Sequence, residues 1–149
     1  MECGGCATRS DPGVLAIDYS GVLRPLPVEW LRRFVATAVR RAEPQHLRRR
    51  EVAISLVQRA LGSHYSSFDL DVDVLKVGTE PPIEEFASVA PRYSMGSRDA
   101  AVQIAARVLY ADGVPPRADL EWITDLGHTA GIPDDRLAGV LTEVARAPG

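Results

Sequence analysis

The sequence predicts an all-α domain of about seven helices: a bundle of two pseudo-twofold-related helical hairpins behind an irregular N-terminal lead-in. Three observations predict it. Apolar residues recur at helical spacing in one segment after another. Prolines and glycines separate those segments by short joints. Both halves of the chain repeat the same order of helix, tight turn, helix and stop. The 149 residues suffice for one domain with a sizeable hydrophobic core.

Residues 1–27 carry turn formers and little periodicity. They are expected to form an irregular, flexible segment, with a short strand-like piece at Val14–Asp18. The helical domain is expected over 28–147. Pro27 precedes a run with Trp30, Leu31, Phe34, Val35, Ala38 and Val39 at helical spacing, and Pro44 ends it. A second helix is predicted from Leu47 to Leu61, with Gly62 as its stop. Residues 66–77, SSFDLDVDVLKV, alternate like a strand. A lone strand would have no partner, and Leu70, Val74 and Val77 also share one helix face, so a short helix is preferred.

Pro81-Pro82 is expected to open a helix holding Ile83, Phe86, Val89 and Ala90, which Pro91 ends. Ser97 is the expected N-cap of the next, with Val102, Ala105, Val108 and Leu109 on one face and Gly113 as its stop. Pro115-Pro116 then starts a helix carrying Leu120, Ile123, Leu126 and Ala130, closed by Gly131. In the last helix Leu137, Val140, Leu141 and Val144 complete the i, i+3, i+4, i+7 pattern.

Sliding the chain against itself by 69 residues places Val35 over Ile104, Val39 over Val108, Ile54 over Ile123 and Gly62 over Gly131. Ala42-Glu43-Pro44 falls over Ala111-Asp112-Gly113. This reads as a duplicated helical hairpin with an acid in each turn, too short for a solenoid.

Composition narrows the function classes. Net charge is −3, so the chain as a whole has no nucleic-acid or membrane signature. Cys3 and Cys6, the only cysteines, make half a zinc site, and zinc there is not expected. The start has no signal-peptide pattern, and no apolar run spans a bilayer, so a cytoplasmic location is expected. No nucleophile–base constellation and no phosphate-cradling glycine loop is visible, which argues against an enzyme.

Two groups of residues invite a functional reading. Asp112 and Asp119 flank a helix–helix turn, and with Glu43 from the other turn they are candidate ligands for Ca²⁺ or Mg²⁺, which take oxygen donors. The plainer reading makes them caps, with Asp119 at the positive end of a helix and Asp112 on turn amides. Asp69, Asp71, Asp73 and Glu80 mimic an EF-hand loop, but Val74 stands where that loop needs glycine. Arg32, Arg33, Arg40, Arg41, Arg48, Arg49 and Arg50 make the first hairpin basic, and Arg40, Arg41, Arg48, Arg49 and Arg50 are the candidate docking face for an anionic surface or protein partner. No aromatic residues interleave them, which lowers the case for nucleic acid.

The stretch IAARVLYADGVPPRADLEWITDLGHTAGIP resembles the signature of the tellurite-resistance protein B (TerB-like) family. Ala111, Asp112, Gly113, Asp119 and Gly131 match its positions, although the family usually has Glu where Asp119 stands. In the first half Glu43-Pro44 departs from the Asp-Gly of the pattern, and its second acid is displaced to Glu51. The resemblance implies an all-α domain of about seven helices with a pseudo-twofold. It also implies acids linked to divalent-cation binding and a non-catalytic stress-response or defence role, often near a membrane. A basic-faced adaptor that docks on a partner protein, a membrane surface or nucleic acid without metal is the rival reading.

Overall fold

The computed structural model describes residues 24–41, 47–61, 64–78 and 83–146. These hold seven α-helices and two 3₁₀ turns. The helices are α1 Val28–Arg40, α2 Leu47–Leu61, α3 Ser67–Val77, α4 Ile83–Val89, α5 Met95–Leu109, α6 Arg117–Thr129 and α7 Asp134–Arg146. The turns are Ala90–Arg92 and Tyr110–Asp112. Among the described residues the only β feature is an isolated bridge from Arg24 to Tyr93. The expected stops at Pro44 and Gly62, the Pro81-Pro82 start, the piece at Val14–Asp18, Cys3, Cys6 and Glu43 lie outside the described residues.

α1 is buried almost all round. Six consecutive residues, Phe34 to Val39, are each no more than 2% exposed. The stretch between Arg33 and Arg40 presents no exposed residue and must be covered on every side. α2, α3 and α5 cover it, and α5 makes the most extensive contact. Phe34 meets Phe86 of α4 edge-on at 4.9 Å between ring centroids, and Trp30 lies 5.0 Å from the same ring. Edge-to-face rings of this kind add to the burial of their apolar area. Thr37, fully buried, donates its hydroxyl to the Arg33 carbonyl one turn back, so it enters the core satisfied.

The segment 66–77 is helical. Ser66 caps it with a reciprocal box: its hydroxyl accepts from the Asp69 amide and its own amide donates to the Asp69 carboxylate. The strand-like alternation is thus a helix with aspartates on different sides. The expected N-cap at Ser97 is corrected. Ser94 caps α5, accepting from the Ser97 amide at 3.3 Å, and the helix begins at Met95. Ser97 lies inside the first turn, where its hydroxyl accepts from the Leu26 amide at 2.9 Å. That bond fastens the chain entering α1 to the start of α5. Gly113 at φ 108° and Gly131 at φ 82° end the turns as expected, in backbone conformations that side chains with a Cβ rarely adopt.

The helix boundaries carry the duplication further than a hairpin. Adding 69 to the limits of α1, α2 and α3 falls within two residues of the limits of α5, α6 and α7. In each half the first helix packs on the second and the third. Each half also ties its first helix to its third with a two-pronged Arg–Asp pair. Arg32 of α1 meets Asp73 of α3 at 2.8 and 2.9 Å. Arg136 of α7 meets Asp99 of α5 at the same two distances, with the charges reversed.

The Phe34→Ala variant is expected to lose about 3–5 kcal/mol, the cost of deleting a fully buried phenyl ring from a packed core. Urea denaturation of both proteins measures it.

Candidate functional site

Three of the residues singled out in the sequence, Asp119, Arg41 and Arg49, converge on one buried network. Asp119, in the first turn of α6, is 5% exposed. Both of its oxygens accept from guanidinium groups: Oδ1 from Arg41 Nε at 2.8 Å and Oδ2 from Arg49 Nη2 at 3.0 Å. Arg49 is 3% exposed and also donates Nη1 to the Ala38 carbonyl at 2.9 Å. Arg41 lies 5.7 Å from the Trp122 ring centroid and donates to the Ala118 carbonyl at 3.2 Å. The acid on the far side of the turn therefore joins three segments: the end of α1, the start of α2 and the start of α6. Asp112 is exposed at the end of its 3₁₀ turn, where the Gly113 amide bonds back to the Tyr110 carbonyl. Among the described residues no group of three or more His, Cys, Asp or Glu side chains is placed to hold a metal ion.

The arginine run divides between structure and surface. Arg49 is buried. Arg41 is partly buried on α6, and Arg40 reaches the Val74 carbonyl of α3 at 3.4 Å. Arg50 pairs with Asp71 of α3 at 2.6 Å. Arg48 is exposed and reaches Glu51 at 3.5 Å. A helix turn carries its residues around the axis, so five arginines close in sequence cannot share one face.

The three aspartates of the EF-hand-like stretch part in the same way. Asp69 caps α3, Asp71 takes Arg50, and Asp73 turns inward to Arg32 and Tyr65. The Tyr65 hydroxyl donates to Asp73 Oδ2 at 2.6 Å, and burial, with the bond to Asp73, pushes the phenol well up from its ordinary value. Neither Tyr65 nor Arg32 was legible as part of this cluster, because both reach Asp73 through tertiary packing.

α3 also presents an apolar face to solvent. Phe68 is 72% and Leu75 78% exposed, two turns apart on one side of the helix. They flank Asp71, whose partner Arg50 lies one turn beyond Leu47, itself 77% exposed. Phe68 and Leu75 thus stand one turn to either side of Asp71, and Leu47 one turn from Arg50, along the two helices that this ion pair joins. The sequence held a signal for them: Phe68 and Leu75 fall off the stripe formed by Leu70, Val74 and Val77. No described helix is long and apolar enough to cross a membrane. Comparisons with protein-family models, with curated proteins and with solved structures found no match.

Asp119→Asn removes the charge that compensates the buried Arg49, so a loss of about 3–5 kcal/mol in unfolding free energy is expected. Chemical denaturation checks it, and a loss as small as that of an exposed helix cap would remove the network from its central place. A second expectation concerns acid. The Arg136 hydrogen bonds hold the Asp99 carboxyl below its ordinary value. The stability this contributes is fully present above the unfolded aspartate pKa of about 3.9 and is lost as pH falls through the depressed folded value. Thermal melts between pH 6 and about 2 should therefore show a shallower acid decline for Asp99→Asn than for the unmodified chain.

Proposed function

We propose that this chain is a non-catalytic accessory module of TerB-like type that works by docking on a partner protein. The observation that carries the reading is the α3 face, where Phe68, Leu75 and Leu47 stand exposed around the Arg50–Asp71 pair. Large apolar side chains grouped in this way, with a charged pair among them, are the pattern of a surface that a partner covers. The adaptor reading gains from this, although with a changed basis. Of the five arginines from Arg40 to Arg50, Arg41 and Arg49 serve the fold, and Arg50 sits in the apolar face as half of an ion pair.

The cation reading at Asp112, Asp119 and Glu43 is weaker. A Ca²⁺ or Mg²⁺ ion on Asp119 would have to displace two guanidinium groups and leave Arg49 buried without its counter-charge. The resemblance to the TerB-like family supports a stress-response or defence setting and lends no residue to catalysis.

Affinity capture on immobilised protein, compared with a Phe68→Asp, Leu75→Asp variant, tests the reading. Both positions are exposed, so the variant should keep its melting behaviour, within roughly 0.5 kcal/mol in stability. A protein retained by the original chain and lost from the variant is the expected result. Equal capture by both would overturn it.

A further inference from the structure

A second surface feature lies away from the α3 face. A half-open cavity of about 360 Å³ is lined by α2 and by Arg107 of α5. Its floor is Val52 and Leu56, both nearly buried. Around them stand Arg48, Glu51, Ser55 and Arg59, spaced three and four residues apart along α2, so they share one face of that helix. Arg107 adds a third guanidinium from across the cavity.

Among the described residues that line the cavity three are arginines and one is a carboxylate, Glu51, which lies 3.5 Å from Arg48. Arg59 and Arg107 are exposed and have no hydrogen-bond or ion-pair partner among the described residues. Two other exposed arginines, Arg117 and Arg136, do have an acid partner, Glu121 and Asp99. Guanidinium groups bind phosphate oxygens through paired hydrogen bonds, and a serine hydroxyl adds a further donor. The volume is that of a small-molecule site, and the apolar floor offers a surface for the rest of such a ligand.

We propose that this cavity binds a small phosphate-bearing anion, with Arg59 and Arg107 as the principal cationic contacts, Ser55 as a hydroxyl donor and Glu51 as the group that limits affinity. The site is separate in its residues from the docking face on α3, so either proposal stands or falls without the other.

Inorganic pyrophosphate is the probe, titrated calorimetrically into the full chain at low ionic strength, where exposed charges are least screened. The Arg59→Gln, Arg107→Gln variant should bind at least about tenfold more weakly, the scale of lost charge-assisted hydrogen bonds. Arg50→Gln, outside the cavity, should bind as the original does. Glu51→Gln should bind more tightly, because a repelling charge is gone. Succinate should bind at least about tenfold more weakly than pyrophosphate if phosphate geometry is what the arginines read. No heat with pyrophosphate, undiminished binding in the double arginine variant, or equal binding of succinate would each overturn the proposal. Circular dichroism of each variant establishes that a loss of binding is not a loss of fold.

Discussion

Everything in this fold follows from the burial of α1. Six residues in succession are withdrawn from water, including the hydroxyl of Thr37, so no side of that stretch is left for solvent. Three helices must close around it, and Phe86 of α4 completes the aromatic end. The arginines at its edges then become a problem of charge. Arg32 and Arg33 leave the core beside the apolar face, and Arg41 follows at its end. Each is met by an acid from a different element: Asp73 of α3, Glu85 of α4 and Asp119 of α6. These three acids are therefore placed by the helix they neutralise.

That placement separates what the sequence announces from what it hides. Helix limits are local matters. The Leu47–Leu61 helix, the Pro116 start and the Gly131 stop follow from periodicity and from residues that cannot continue a helix. Ser94 and Ser97 are both good caps, and only the approach of Leu26 decides that Ser97 serves another amide. The partners of Asp73 and Asp119 were beyond reach for a deeper reason. Asp119 meets groups 70 and 78 residues away, and no periodicity reports such a distance. An aspartate in a first helical turn looks the same whether it faces amides, a metal ion or a guanidinium.

The surface shows a complementary division. Charged residues near α1 are consumed by the fold, while α3 keeps Phe68 and Leu75 outside it. Unspent guanidiniums stand instead across α2 and α5, at Arg59 and Arg107. Candidate function thus lies on side chains the core did not need, at two places that the run of arginines touches only through Arg48 and Arg50.

The bond between Asp119 and Arg49 also has a consequence for how the chain assembles. α1 to α3 and α5 to α7 each close over short connections, so each half can gather its helices from nearby chain. Arg49 belongs to the first half and Asp119 to the second. Burying either charge before the other arrives is costly, whereas burying both together satisfies each. Docking of the halves brings this pair together, and the cost of burying one charge without the other couples the two halves.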